Sequence, residues 1–446
     1  MIDSSMKMSS RRRLLSLGAT GGMMNILGMS SMAQTSESRS GSALLPEMES
    51  VVRFGARGDG STDDTTAFQR ALDSVYKAGG GTVYAPPGRY LFRGTLEVPE
   101  GVALRGSYLC VPSHVGLREK GQATPGEDGT ALFVTNGRGK EEGIPFLTLN
   151  SNSSVNGLCI FYPEQDANDI PAAYPWTIAM RGKNPAVQDV ELLNPYRGID
   201  ASGNERHNIR NVTGQPLRQG IWVDAIYDIG RIENVHFNPW WSSNSKAYRW
   251  QVEHGEAFVF GRADWEYVLN TFCYGYHIGY KFVETSTGGC NGNYVGIGAD
   301  DCNRAILVEQ CAAFGLLIVN GEFTSFHGED PTMVEVLASN GGVLRISNSA
   351  FWGPCQQIAK IAGDGTVGFS DCTFVQWSKE GEHAAIQASS GSLLVRGCEF
   401  IERKPHISLG EAVNRAVISG NLFAGSAQIQ NESKRDVQIG LNAASS

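Results

Sequence analysis

The chain has 446 residues, 54 of them glycine, with 19% charged residues and a formal net charge of −9. An acidic balance argues against broad binding to nucleic acid or to anionic membranes. The nine cysteines include no CxxC pair, so zinc and redox motifs find no support, and the odd number leaves at least one thiol unpaired.

Residues 1–33 read as an export signal. Ser10-Arg11-Arg12-Arg13-Leu14-Leu15 resembles a twin-arginine motif. A mildly apolar Gly- and Met-rich stretch follows, then the small-x-small site Ser31-Met32-Ala33. The expectation is a bacterial protein exported by the twin-arginine route to the periplasm or beyond. Losing Lys7 and three arginines against Asp3 would take the net charge to about −12. Residues 34–50 read as a linker. Export after folding also disfavours a disulfide framework, so most cysteines are expected as small core residues.

The most informative segment is Val52–Gly106, VRFGARGDGSTDDTTAFQRALDSVYKAGGGTVYAPPGRYLFRGTLEVPEGVALRG. Ala67, Phe68, Ala71, Leu72, Val75 and Tyr76 make one apolar helical face, with Asp63 or Asp64 placed to cap its start and Gly79–Gly81 to end it. The spacing predicts a helix from about Asp64 to Ala78, followed by three strands and their turns. An amphipathic helix before a row of strands suits the end cap of a solenoid. This segment resembles the N-terminal cap and first coil of right-handed parallel β-helices of the pectate-lyase-like and polygalacturonase-related (glycoside hydrolase family 28-related) superfamily. The resemblance implies an all-β, single-stranded parallel β-helix, a fold that mostly hosts enzymes acting on polysaccharides.

Residues 107–150, rich in Gly, Pro and charge, read as a long loop on the first coils. The second half repeats. Val343–Phe351, Thr366–Phe374, Leu393–Phe400 and Ala416–Phe423 each end in Phe, at intervals of 23, 26 and 23 residues. That period with apolar alternation and Asn/Gly turns means one coil per repeat. Cys372 and Cys398 hold the same place in successive repeats and are expected to stack. At about 4.8 Å of rise per coil, a body spanning 51–440 holds roughly 13–15 coils, with 441–446 as a tail.

Residues 237–282 break the pattern with 14 aromatics in 46 residues. Rings on an outer face offer flat apolar platforms with polar tips, suited to sugar rings. Trp240, Trp241, Trp250, Trp265, Tyr274 and Tyr276 are therefore candidate substrate contacts, with Arg262, Lys281 and His254 as polar ones. Asp264, Glu266, His277, Asp300 and Asp301 are interleaved or follow closely. Gly298-Ala-Asp-Asp-Cys302 resembles the Asp-Asp-Cys element of polygalacturonases, whose aspartates activate water or protonate the leaving oxygen; no Gly-His-Gly or Arg-Ile-Lys motif follows. Aligning Tyr294–Asp300 with Leu316–Glu322 at an offset of 22 predicts Asp300 and Glu322 as stacked carboxylates, one with a raised pKa.

These readings converge on a carbohydrate-active enzyme with its groove on the outer face between 237 and 327. A glycoside hydrolase using a carboxylate pair is the leading expectation, with Asp300 as its principal residue. A polysaccharide lyase, with a base such as His277, Tyr280 or Lys281, is the alternative, and a non-catalytic carbohydrate-binding solenoid is the third. No cofactor and no metal are expected. The expected partner is a polysaccharide or oligosaccharide, with neither nucleic acid nor membrane, and the oligomeric state stays open.

Overall fold

The computed structural model describes residues 48–116, 122–126, 128–379 and 381–445. The export signal and most of the expected linker lie outside them. The described chain winds as a right-handed parallel β-helix of about 15 turns. Its strands form three parallel ladders. In the middle coils face A holds Glu256–Phe260, Ile278–Phe282, Arg304–Val308 and Thr332–Val336. Face B holds Glu266–Leu269, Gly292–Val295, Leu316–Val319 and Val343–Ser347. Face C holds Phe272–Tyr274, Gly298–Cys302, Glu322–Ser325 and Ala350–Phe351. Strands already pair at Met48–Ser50, ahead of the expected boundary, and still pair at Ala443–Ala444, inside the expected tail.

Each coil buries alternate residues, and the coils stack like on like. Phe323, Phe351, Phe374, Phe400 and Phe423 pair in sequence along face C. Their ring centroids lie 4.8 to 5.4 Å apart. Ring-on-ring packing adds about 0.5–1.5 kcal/mol per pair beyond area burial. The repeat read from the sequence is thus the structural register. Cys372 and Cys398 are buried neighbours, their thiols hydrogen-bonded to each other.

Helix α1 (Thr65–Lys77) covers the N-terminal end. Its buried face is the expected one, with Phe68 edge-on to Tyr90 and Phe92 at 5.0 and 4.9 Å; Tyr76 lies exposed. The two aspartates divide their work. Asp63 accepts from the Thr65 backbone N–H at 3.1 Å. Asp64 is buried and turns back to the Arg57 and Gly58 N–H groups, tying the preceding loop to the helix start. The stretch 107–150 is not all loop: Thr130–Val134 and Leu147–Leu149 are strands.

One corner of the helix is fixed and two are variable. Between faces B and C a single left-handed residue turns the chain: Asn270, Gly296, Asn320, Asn348, Asp371 and Gly397 in successive coils. Asn and Gly reach that conformation at least cost. The other corners accept insertions, and helix α2 (Lys246–His254) is one of them.

Candidate active site

The corner between faces C and A gathers the chemistry. Tyr274 and Asp300 are register partners on face C. Beyond Asp300 the register slips, from Ala299 over Phe323 to Cys302 over Ser325. Asp301 sits in this irregularity with φ +55°. Such a bulge re-aims side chains, and a non-glycine residue at positive φ is uncommon outside turns and sites. Asp301 is buried, and its carboxylate pairs with His327 Nδ1 and hydrogen-bonds Tyr274. A carboxylate only accepts, so Nδ1 carries the ring proton and Nε2 keeps a lone pair. The His327 side chain is 37% exposed.

The surrounding groups hold this pair in place. Thr324 Oγ1 donates to Asp300 Oδ1 at 2.6 Å and accepts from the Asp301 N–H at 2.9 Å. Asn303 donates to the carbonyls of His327 and Glu329, fixing the turn that carries the histidine. Helix α2 stands opposite and brings Tyr248, whose phenol meets that of Tyr274. Between helix and turn lies a cavity of about 490 Å³, lined by Tyr248, Arg249, Glu253, His277, Asn303 and His327 among others.

Electrostatics follow from burial. Burial raises the Asp301 carboxyl, partly offset by His327. Burial and the neighbouring Asp301 carboxylate push the Tyr274 phenol up to about 12, so it stays a proton donor near neutrality. Burial and then the Arg304 charge lower His277.

On face C the aromatic platform continues toward the N-terminal coils. His236 packs on Trp240 at 4.7 Å and on Phe272 at 4.9 Å, all three half-buried. Toward the C-terminal coils Phe326 and Trp352 are exposed. A strip of rings thus flanks Tyr274 and Asp300 on both sides.

The remaining candidates fall elsewhere. Asp300 and Glu322 are not stacked. The true offset is 24, with Tyr294 over Ile318 and Gly298 over Glu322, because inward packing rather than the Gly-x-acid spacing sets the register. Glu322 is exposed above a glycine, and Asp300 meets Thr324 instead. Glu266 is wholly buried against His207 at 2.9 Å, which removes it from a substrate's reach. Asp264 is held by Arg262 in a two-pronged pair, 2.9 Å at each contact, at the corner between faces A and B. Trp265, 62% exposed, stands at that same corner, away from the cavity.

Trp241 is fully buried in a satellite core with Cys159, Phe161 and Leu217, which rules out a substrate platform. Tyr276 is equally buried, its hydroxyl donating to the Pro216 carbonyl at 2.8 Å. Trp250 packs half-buried against Tyr196 and the exposed His254. Lys281 lies between Glu256 and Glu309, 3.2 Å from each, on face A. Of the predicted set, Asp300, Asp301, Tyr274 and His277 come together, with Trp240 nearby. His327, Tyr248, Thr324, Asn303 and Arg249 were not anticipated. A signal existed: His327-Gly328 follows Asp301 by 26 residues, one coil.

Residues 48–238 match the family model described as rhamnogalacturonase A/epimerase, pectate lyase-like. Two curated relatives come from Azotobacter vinelandii. Alginate lyase 7 is 54% identical over 54 residues, covering 12% of this chain and 6% of that protein. Mannuronan C5-epimerase AlgE5 is 54% identical over 106 residues, covering 23% of this chain and 11% of that protein. The chain thus spans only a small part of the relatives it matches. Among solved structures, the N-terminal fragment of bacteriophage Phi29 gene product 12 aligns with a TM-score of 0.63 at 14% identity, over 89% of this chain and 70% of that one. That likeness is one of fold alone. The family match over the N-terminal coils, and the parallel helix those coils open, make the chain a member of the pectate-lyase-like parallel β-helix superfamily.

Proposed function

We propose that the chain is a polysaccharide-modifying enzyme that abstracts the C5 proton of a uronic acid residue, leading to β-elimination or to C5 epimerisation. The observation that carries this reading is the Asp301–His327 pair with Tyr274 against it. Asp301 orients the imidazole and stabilises it once charged, as the acid of a catalytic triad does. His327 Nε2 takes the proton. The electron pair left on C5 spreads into the sugar carboxylate, which Arg249 at the cavity wall is suited to neutralise. Tyr274, protonated near neutrality, then gives its proton to the leaving O4 or back to C5 from the other side. The relatives named alginate lyase and mannuronan C5-epimerase carry the names of these two outcomes.

One observation favours hydrolysis as a second reading. Asp300 and Asp301 are adjacent, and His327-Gly328 follows one coil on, which resembles the polygalacturonase arrangement. Hydrolysis by two carboxyl groups needs both free to face the scissile bond, whereas Thr324 engages Asp300 and His327 engages Asp301.

Product analysis on a panel of acidic polysaccharides separates the readings. Unsaturated ends support elimination. Inverted C5 centres in an uncut polymer, read by NMR, support epimerisation. New saturated reducing ends overturn proton abstraction in favour of the hydrolase, and binding without turnover overturns both. Export by the twin-arginine route belongs to the same proposal; loss of export on changing Arg11–Arg13 to Lys tests it.

A further inference from the structure

A second cluster of chemically competent side chains lies away from the Asp301–His327 pair. Cys159 and Glu191 are register neighbours on adjacent coils. Their side chains leave the core, since Leu158, Ile160, Val190 and Leu192 point inward. Both are nonetheless fully buried, because segment 107–116 lies over them. His114 on that segment brings its backbone N–H to 2.6 Å and its ring Nδ1 to 2.5 Å from the Glu191 carboxylate. The His114 nitrogen, the Cys159 sulfur and a Glu191 oxygen all lie within 4.8 Å of one another.

A carboxylate wholly removed from water needs a compensating charge. Among the described residues, His114 is the one ionic partner Glu191 has. A nitrogen, a thiolate sulfur and a carboxylate oxygen form a borderline-soft donor set. It suits Zn²⁺ and disfavours Ca²⁺ and Mg²⁺, which require oxygen ligands. Because His114 is partly exposed, water can reach a fourth position from the solvent side. No sequence motif announces the set; 45 and 32 residues separate its members along the chain, and coil register alone unites two of them.

We propose that His114, Cys159 and Glu191 form a zinc site that clamps segment 107–116 to the outer face of the early coils. On binding, the Cys159 thiol releases its proton to water. The His114 ring proton moves from Nδ1 to Nε2, freeing Nδ1 for the metal. The clamp bears on the candidate groove. The same loop bonds Trp240 and Trp241 through Gly116 N–H to the Trp240 carbonyl, at 2.6 Å, and Ala123 N–H to the Trp241 carbonyl, at 2.9 Å. Zinc would therefore fix the wall beside Trp240, whatever reaction the site performs.

The test uses the full chain, stripped with chelator and titrated with Zn²⁺ and, separately, with Co²⁺. One Zn²⁺ should bind per chain and raise the melting temperature by several degrees at saturation, as any ligand specific to the folded state does. Co²⁺ should give a thiolate charge-transfer band. Cys159→Ser should remove that band and weaken Zn²⁺ binding by at least about 100-fold, the upper end for an outer-shell change. His114→Ala, on a surface segment, should leave the stripped protein's melting temperature unchanged and abolish the zinc-dependent rise. His383→Ala, an exposed histidine elsewhere, should change nothing. Binding that survives Cys159→Ser, a cobalt spectrum without the thiolate band, or no stoichiometric binding would each overturn the proposal.

Discussion

Replacing Asp301 with Asn perturbs the candidate site with little else disturbed. The left-handed backbone at φ +55° suits Asn as well as Asp, so the bulge keeps its shape. The buried carboxylate, raised by desolvation, becomes a neutral amide, which relieves a burial cost while weakening the bonds to His327 and Tyr274. The melting temperature should therefore move by only a few degrees. Catalysis should fall much further. An amide can present its NH₂ to His327 Nδ1, forcing the proton onto Nε2 and leaving no lone pair to accept the substrate's proton. Positioned acid–base groups contribute about 10²–10⁴ in rate, which at about 1.36 kcal/mol per decade is about 2.7–5.4 kcal/mol of barrier. The assay is the initial rate on the best polymer from the panel, beside a thermal melt of the same preparation. A variant that melts normally and keeps its rate within about a factor of three would refute the role of the dyad, because that loss lies far below the range for a lost base.

Three further outcomes follow from the geometry. Trp240→Ala should weaken oligosaccharide binding with little change in melting temperature, since the ring is half-buried against His236 alone among its aromatic contacts; affinity electrophoresis in polymer-containing gels reads this. Phe351→Ala opens the ring stack between Phe323 and Phe374 and should cost about 3–5 kcal/mol in urea unfolding, the range for a buried phenylalanine; a cost below about 1 kcal/mol would mean the stack collapses around the gap. Burial lowers His236, His277 and His406 in the folded chain from their ordinary 6.5. The unfolded chain thus binds more protons between those lowered values and 6.5, so stability should rise with pH through that window and be lost as acid charges the imidazoles. Replacing His406 with Gln should flatten this slope in melts taken across the window.

Much of the fold was legible because a solenoid writes its geometry as a period. The phenylalanines at 351, 374, 400 and 423 are both the repeat and the register, and the apolar face from Ala67 to Val75 is both the pattern and the cap. The site was legible only in part. Tyr274, Asp300 and Asp301 were found because they sit on face C, in strands the pattern reveals. His327 and Asn303 were missed because they lie past a bulge, where register slips and periodicity stops informing. The Asp300–Glu322 pairing failed for a related reason. A gapless alignment cannot see that the corner between faces A and B holds two more residues than assumed. Composition misled over Trp241 and Tyr276, because aromatic density does not distinguish an outer platform from rings buried under an insertion, and α2 with the loop over it makes that second environment.

The left-handed corner between faces B and C has a consequence for how such a chain diversifies. Asn211 donates to Asp189 at 2.8 Å, Asn234 to Asn211 at 3.2 Å, and Asn348 to Asn320 at 2.7 Å. The crease is one residue wide, stitched from coil to coil, and has no slack for an insertion. Any lengthening of the chain must then appear at the other two edges, where α2, the Thr285–Gly288 hairpin and the loop bearing His114 all emerge. The molecule is built like a bound book. One edge is the spine, sewn and unalterable, and new specificity can be written only on the edges that open.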